Sequence, residues 1–343
     1  MKQYDVVIVG GGPAGLKCAE VLAKGGKKVI VLEKNKIIGD KVCAGGVTLK
    51  DMELGIPNSI IERKFKGITI HTPLQNIELK DKKYILATLD RKGLGKWLAK
   101  KTKIAGAEIK LEAEVRKIDN RKITLKDNSK IGYDYLIGAD GSNSMVRRFL
   151  GLENDKIAEA IHYLVPKYYK KMECFLNPAN FGFRYLWIFP HKKITSIGCG
   201  SDLKTKGKVN VDIQKIRDEL NLFCDQNGFL SRAKFQAATI NYDYKGFDFG
   251  NKFLIGDAAG FASGLTGEGI YFAIKSGEDV AKKIINPKYN CQNIKHILKV
   301  KRFEEQLLSS LEINKALTEI EGELLIFLAR MKWIDKEIIK SID

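Results

Sequence analysis

Residues 4–33 constrain the fold of this chain more than any other stretch. Val6-Val7-Ile8-Val9 is an unbroken apolar, β-branched run without helical period, the pattern of a strand buried on both faces of a parallel sheet. Gly10, Gly12 and Gly15 follow at once in the Gly-x-Gly-x-x-Gly spacing. Gly10 permits the tight turn, Gly12 lets the backbone approach a pyrophosphate, and Gly15 lets the next helix lie close on the strand. That helix, expected over Ala14 to Lys24, directs free N–H groups and a partial positive charge at the pyrophosphate. Val29 to Leu32 is the next strand. Glu33 ends it, where a carboxylate accepts hydrogen bonds from the ribose hydroxyls of an adenosine and repels a 2′-phosphate, which argues against NADP in this site. Strand, glycines, helix, strand and acid stand in order within about 30 residues, the context that gives the spacing its meaning.

The 343 residues are 44% hydrophobic and 29% charged, a globular composition long enough for two domains. No apolar run reaches the ~18 residues of a membrane-spanning helix, and the N-terminus enters the first strand directly, so no cleaved signal peptide is expected. Cys18, Cys43, Cys174, Cys199, Cys224 and Cys291 are scattered, without a C-x-x-C pair or metal-ligand spacing. They read as free thiols of a cytoplasmic protein, and no metal site is expected. The formal net charge of +18 suits an anionic lipid surface or an acidic protein. No nucleic-acid-binding motif accompanies it, so no nucleic-acid partner is expected.

Further along, residues 36–56 form a Gly-rich connection, with Lys41-x-Cys43-Ala44-Gly45-Gly46, that reads as a loop facing something flat. Residues 65–89 alternate as antiparallel strands of an inserted sheet. Asp90 is positioned to cap a helix running from Arg91 to about Ile104, stopped by Gly106. Glu108 to Val115 reads as a strand, Lys117 to Leu125 as a hairpin, and Tyr135 to Ser144 as a strand running into a turn. Phe183 to Pro190 alternates side to side on one strand that ends at the proline and pairs with residues 195–200, so Tyr185 and Trp187, two apart, share a face. Asn210 to Gly228 is an amphipathic helix, Phe253 to Gly260 a buried strand with a turn, and Gly267 to Gly277 the start of a helix. Residues 293–341 look helical throughout.

Three segments thus place glycines at strand ends: 10–15, 138–141 and 256–269. In a doubly wound sheet such ends converge on one crevice. There Asp257 can bind sugar or ribityl hydroxyls, or serve as a helix cap. The amides near Gly267 to Ile270 can hold a flavin carbonyl or pyrophosphate. Arg91 can reach a phosphate, or stand as a solvated side chain.

The set Gly10-x-Gly12-x-x-Gly15 with Glu33, Asp90-Arg91, Gly138-Ala-Asp-Gly-Ser142, and Gly256-Asp-Ala-Ala-Gly260 with Gly267-Glu-Gly269 resembles the large FAD-dependent family that includes p-hydroxybenzoate hydroxylase. Within it, Lys41-x-Cys43-x-Gly-Gly46, Tyr185-x-Trp187-x-Phe189-Pro190 and Gly267-Glu-Gly-Ile270 resemble the geranylgeranyl reductase branch. The resemblance implies an α/β fold: a Rossmann-like FAD-binding domain (1–64, 88–156 and 246–290), an inserted, mainly antiparallel β-sheet substrate domain (65–87 and 157–245), and C-terminal helices (291–343). It implies FAD contacts from Gly10, Gly12, Pro13, Ala14, Gly15, Glu33 and Lys34 in the first motif. Arg91, Val115, Asp140 and Gly141 follow from the middle of the chain, and Gly256, Asp257, Gly267, Gly269 and Ile270 from its later part. Lys41, Cys43, Ala44, Gly45 and Gly46 would sit near the isoalloxazine ring, and Tyr185 and Trp187 would line an apolar pocket.

The implied reaction is hydride transfer from reduced flavin N5 to a carbon–carbon double bond of a prenyl chain, with Cys43, Tyr185 and Trp187 as the catalytic residues. Cys43 and Tyr185 are the candidate proton donors, and Trp187 serves equally well as core. The electron donor is ferredoxin or NAD(P)H. Two departures from the branch stand out: the C-terminal part is short, and Ser263-Gly264-Leu265-Thr266 lacks the proline usual before the Gly-x-Gly. A flavin monooxygenase or halogenase of the same fold, and an FAD-holding redox sensor or lipid-binding protein, are the rival readings. Leu324, Leu325, Phe327, Leu328 and Trp333, with Lys332, Lys336 and Lys340, form an amphipathic pattern suited either to peripheral docking on an anionic membrane or to packing as core.

Overall fold

The computed structural model describes residues 1–177, 181, 185–205, 213–229, 232–311 and 323. They fall into two compact units. The first comprises Met1–Lys41, Arg91–Ile157 and Ile240–Phe303; the second comprises Val42–Asp90, Ala158–Thr239 and the described residues from Glu304 on.

In the first unit β1 (Lys2–Val9) lies at the centre of the sheet because its Val6, Val7 and Ile8 need cover on both faces, and all three are fully buried. β2 (Val29–Leu32) pairs parallel to it with Val9 opposite Leu32. β11 (Lys130–Gly138) pairs parallel on the other side, with Val9 opposite Gly138. β8 (Glu108–Lys110) extends the sheet beyond β2. Beyond β11, β10 (Lys122–Leu125) and β9 (Val115–Asp119) run antiparallel, while β17 (Lys252–Leu254) pairs parallel with the last residues of β11. Helix α1 (Pro13–Lys24) packs against α6 (Ile270–Ile285) with the backbones nearly touching: a Cβ on Gly277 would stand 2.3 Å from the Ala14 carbonyl oxygen. Glycine there is what lets the start of α1 lie against the middle of α6.

Behind the 256–260 turn sits a cation that gives no signal in the sequence. Arg147, on the short helix α4 (Met145–Phe149), is 1% exposed. Its Nη2 donates to the Asp243 carbonyl at 2.9 Å and the Asp243 carboxylate at 3.2 Å, and Nη1 donates to the Ala258 carbonyl at 3.3 Å. Lys301, on α7 (Gln292–Leu311), is equally buried and donates to the Tyr242 and Ala262 carbonyls at 3.0 and 2.9 Å.

The second unit holds a seven-stranded sheet and a three-stranded one. The larger runs β16 (Lys234–Asn241), β12 (Lys156–Val165), β15 (Thr195–Thr205), β14 (Tyr185–Pro190), β13 (Glu173–Leu176), β5 (Gly67–His71), β6 (Asn76–Lys80). Its apolar face is covered by α5 (Ile213–Gln226) through Ile216, Leu220 and Cys224. The smaller sheet runs β3 (Gly46–Thr48), β7 (Leu86–Leu89), β4 (Ile61–Phe65).

Three expectations change. Residues 42–64 group with the second unit, because β3 and β4 both pair with β7. The strand expected over Glu108 to Val115 is broken after Lys110, with Glu112 at φ 51° and Val115 opening a different strand. Residues 291–303 belong to the first unit through α7. The amphipathic residues Leu324 to Lys340 lie outside the described residues. Glu323 is described, and its carboxylate accepts from Thr72 Oγ1 at 2.8 Å and the Leu74 amide at 2.9 Å, at the β5–β6 turn of the second unit.

A buried polar chain crosses four adjacent strands of the larger sheet. Trp187 on β14 donates its indole N–H to Ser196 Oγ at 3.0 Å. Ser196 on β15 meets His162 Nδ1 at 2.7 Å, and His162 Nε2 on β12 meets Gln236 Oε1 on β16 at 3.1 Å. One arrangement satisfies every member: Ser196 accepts from Trp187 and donates to a neutral imidazole, whose Nε2–H goes to Gln236. Burial pushes the His162 pKa down from 6.5 to about 4. The unfolded chain therefore takes up a proton below about pH 6.5 that the folded chain refuses until about pH 4. The stability this histidine contributes is complete above that window and lost across it as pH falls. His162→Gln should remove roughly 3 kcal/mol of acid sensitivity between those pH values in denaturant titrations; an unchanged acid limb would mean that His162 is charged in the fold.

Candidate cofactor site

The register of the first sheet builds this site. Val9 stands opposite both Leu32 and Gly138, and Gly138 opposite Leu254. Four strands therefore end at one level, and the turns after them leave the sheet edge together. The sequence could place each turn on a strand end, and only the register places them side by side.

Gly10 has φ +107°, and a Cβ there would stand 2.2 Å from the Ala139 carbonyl oxygen, so the first two turns touch backbone to backbone. Gly12 is the opposite case: its φ is −77° and a Cβ would meet nothing within 4 Å. It borders open space, in front of the first turn of α1. That helix has no side-chain cap, and Pro13 at its first turn lacks an N–H, so the free amides that follow face this space. Helix α6 is likewise entered by a glycine, Gly269, with no side-chain cap.

Glu33 is 9% exposed. Its Oε2 accepts the Gly11 amide at 2.8 Å and its Oε1 the Asn35 amide at 2.9 Å. A carboxylate offers about four lone-pair directions, so two remain for ribose hydroxyls. The same residue thus holds the glycine loop and keeps acceptor directions free for a further donor. Arg91, the first residue of α3 (Arg91–Ile104), carries a buried Nη1 without a hydrogen-bond partner. An orphaned guanidinium donor is costly unless an acceptor comes to it, and a phosphate or ribityl oxygen is such an acceptor.

Asp257 lies on the single turn Gly256–Ala258. Lys41 Nζ reaches its Oδ2 at 2.7 Å, the Asn241 side-chain amide donates to its carbonyl at 2.8 Å, and its Oδ1 lies 3.5 Å from where a Cβ on Gly269 would be. It therefore sits beside the N-terminus of α6. In place of the proline missing before Gly267, the loop is tied by side chains. Ser263 Oγ accepts from the Leu265 and Thr266 amides at 3.2 and 2.9 Å, and Thr266 Oγ1 accepts from the Glu268 amide at 3.2 Å.

Some implied contacts go elsewhere. Asp140 turns its carboxylate to the N-terminus of α4, accepting from Ser144 Oγ at 2.5 Å and the Met145 amide at 2.7 Å. Burial raises its pKa despite these bonds. Val115 is buried in the core of the first unit, and Lys34 is exposed. Gly141 and Gly256 have φ of +77° and +57° and shape their turns; Ile270 opens α6.

Cys43, Ala44, Gly45 and Gly46, and the aromatic strand, belong to the second unit. The Cys43 Sγ accepts the Gly45 amide at 3.4 Å. Tyr185 and Trp187 share a face, with ring centroids 6.1 Å apart, and Phe189 continues the row at 5.9 Å from Trp187. Trp187 is 6% exposed with its N–H taken by Ser196, so its polar end is not available to a ligand. Sequence reasoning missed His191, which joins Glu62 to this loop; it sits one residue past Pro190, and its partner lies on another strand far earlier in the chain.

A sheet whose glycine turns meet at one edge, with two uncapped helix N-termini, a buried carboxylate with acceptor directions to spare and an unpartnered arginine donor, suits the class the comparisons show, the FAD-dependent oxidoreductases. Residues 3–290 match the FAD binding domain family, and the chain belongs to that family, on its geranylgeranyl reductase-like side. It is 31% identical over 328 residues to an uncharacterized protein of Methanosarcina barkeri, covering 91% of this chain and 82% of that one. It is 29% identical over 332 residues to a geranylgeranyl diphosphate reductase of Synechocystis, covering 88% and 80%. Among solved structures, a geranylgeranyl bacteriochlorophyll reductase-like protein of Thermoplasma acidophilum is similar with TM-score 0.71 at 25% identity, covering 88% of this chain and 83% of that one. A flavin-dependent brominase shares the fold, with TM-score 0.71 at 17% identity and coverage of 99% and 93%.

The two glycines separate folding from binding. Gly12→Val should change stability by less than about 0.5 kcal/mol yet purify without flavin, whereas Gly10→Ala should destabilise by more than about 3 kcal/mol through backbone collision. Full flavin occupancy in a folded Gly12→Val protein would move the pyrophosphate away from α1. Glu33→Ala should weaken FAD binding by roughly 1 to 3 kcal/mol, read by titrating apoprotein with FAD.

Proposed function

We propose that this protein is a reductase that saturates carbon–carbon double bonds of an isoprenoid chain of the geranylgeranyl type. The observation that carries the reading is the coincidence, within the second unit, of a continuous aromatic row with a thiol-bearing glycine loop laid against it. A Cβ on Gly46 would stand 2.7 Å from the Phe189 ring, so loop and row form one surface. The names of the Synechocystis and Thermoplasma relatives support the same reading.

Bound FAD, once reduced, supplies the hydride. The residues of the chain do the rest. The amides of α1 and α6, Glu33, Arg91 and Asp257 bind and orient the cofactor. Tyr185, Trp187 and Phe189 give an apolar wall that excludes water from a prenyl chain. Because an isolated alkene is a poor hydride acceptor, a proton must arrive at the second carbon, and Cys43 and Tyr185 are its proposed donors. Electrons come from ferredoxin or NAD(P)H, and the charge of +18 suits an acidic carrier as well as peripheral contact with an anionic membrane holding the substrate. Among the described residues no helix is long and apolar enough to cross a membrane; in this reading the lipid is reached from the membrane surface or from a carrier.

Reduced protein mixed anaerobically with a geranylgeranyl lipid should reoxidise and yield a product heavier by two hydrogens per double bond, measured by mass spectrometry. Cys43→Ala should slow that step about a hundredfold with FAD content unchanged. Reoxidation that requires oxygen and inserts an oxygen atom would make the protein a monooxygenase; no turnover with any prenyl lipid or donor would make it a sensor or lipid-binding protein.

A further inference from the structure

The larger sheet of the second unit gathers four of its connections at one end. β5 runs antiparallel to β6 with Gly67 opposite Lys80, β13 runs parallel to β5 with Glu173 opposite Thr69, and β14 runs antiparallel to β13 with Ile188 opposite Glu173. Lys66 before β5, residues 81–85 after β6, residues 166–172 before β13 and residues 191–194 after β14 therefore leave the sheet at the same end. Hydrogen bonds tie them to one another. The Asp81 amide donates to the Lys66 carbonyl at 2.8 Å, and Thr195 Oγ1 donates to the Lys167 carbonyl at 2.7 Å. Arg63 on β4 adds a third tie, donating through Nη2 to the Lys170 carbonyl at 2.9 Å.

Each connection by itself is an ordinary polar turn. Together they hold eight lysines (Lys66; Lys82 and Lys83; Lys167, Lys170 and Lys171; Lys192 and Lys193) against one carboxylate, Asp81. Arg63 and Lys64 on β4 add two more cations. The acids of the adjoining strands are turned to other partners: Glu62 to His191, Glu173 to His71, and Glu78 to Lys80. Lys82, Lys83, Lys170 and Lys171 are exposed and enter no ion pair among the described residues. The connection at the opposite end of β5 and β6, residues 72–75, carries no charged residue.

Two tyrosines project among these cations, Tyr168 at 63% and Tyr84 at 46% exposure. The Arg63 guanidinium lies 4.7 Å from the Tyr168 ring centroid, and Lys64 and Lys66 Nζ lie 5.9 and 5.8 Å from that of Tyr84. These contacts steady the rings and leave much of each one in solvent. Amphipathic rings flanked by Lys and Arg are the side chains that settle at the headgroup level of a bilayer. The aromatic row favours a lipid surface over an acidic protein. Tyr185, Trp187 and Phe189 run along β14 into Pro190, so the row ends at this basic face.

We propose that this end of the larger sheet is a docking surface for an anionic lipid bilayer, with its lysines on the headgroup phosphates and Tyr84 and Tyr168 at the headgroup level. The choice of a lipid surface rests on the reductase reading, whose prenyl substrate resides there.

The test is sedimentation of the full chain with vesicles. Vesicles of phosphatidylcholine and phosphatidylglycerol in equal parts should carry the protein down at low salt, vesicles of phosphatidylcholine alone should not, and added salt should release it. The combined variant Lys82→Gln, Lys83→Gln, Lys170→Gln, Lys171→Gln should bind the anionic vesicles at least about a hundredfold more weakly with its melting temperature unchanged. Lys2→Gln, Lys96→Gln, Lys100→Gln, Lys103→Gln removes the same charge from exposed lysines of the first unit, and should alter binding by less than about threefold. Tyr168→Ser should weaken binding severalfold without changing its salt dependence. In the unaltered protein, vesicles should protect Lys82, Lys83, Lys170 and Lys171 from acetylation, read by mass spectrometry, and leave Lys96 and Lys100 reactive. Unchanged vesicle binding by the first combined variant would overturn the proposal. Equal losses in the two combined variants, or uniform protection, would overturn it by showing attraction through total charge alone. Binding to polyglutamate through these lysines without binding to vesicles would overturn it in favour of an acidic protein. Vesicle binding needs neither flavin nor substrate, so docking without turnover would count against the reductase reading alone, and turnover on detergent-dispersed lipid without docking would count against this surface alone.

Discussion

The in-register parallel pairing of β1 with β11 is the constraint on which the cofactor site depends. Parallel strands carry evenly spaced, slanted hydrogen bonds, so once Val9 stands opposite Gly138 and Leu32, and Gly138 opposite Leu254, all four following turns leave the sheet together. The Ala139 amide donates to the Val9 carbonyl at 2.8 Å and the Ile255 amide to the Gly138 carbonyl at 2.9 Å, which carries the register one residue past the strands. A slip of one residue between β1 and β2 would exchange the two differently packed buried faces and separate Glu33 from the glycine loop it holds.

Such an edge concentrates backbone and side-chain charge, and the first unit compensates it from behind. Arg147 ties the 256–260 turn to Asp243, and Asp140 satisfies the amides of α4. Removing one partner of a buried pair leaves an uncompensated charge and costs more than the pair itself contributes. The unpartnered Arg91 donor and the two uncapped helix ends are groups to which a phosphorylated cofactor supplies acceptors.

The second unit solves a different problem, holding large aromatic rings rigidly on a strand. Trp187 is fixed at its polar end by the Ser196–His162–Gln236 chain, which locks its rotamer and leaves only its apolar body to shape a surface. The adjoining loop is held by a histidine with two acceptors. The two buried imidazoles therefore differ: burial holds His162 neutral within its chain of polar partners, whereas His191 faces an acceptor at each ring nitrogen.

The sequence by itself determined the nucleotide half of this protein. Gly10, Gly12, Gly15 and Glu33 lie within one βαβ unit, where spacing alone sets geometry, and the turn glycines at 138–141 and 256–269 could each be placed on a strand end. It also placed Tyr185 and Trp187 on one face, since strand period is local; the structure adds Phe189 to the row. Tertiary structure decided whatever depended on pairing between distant segments. It joined residues 42–64 to the second unit through β7, turned Asp140 toward α4, replaced the missing proline by the Ser263 and Thr266 hydroxyls, and brought His191 to Glu62. A side chain's hydrogen-bond partner across strands follows from register, and register is fixed by the whole sheet, which no local spacing encodes.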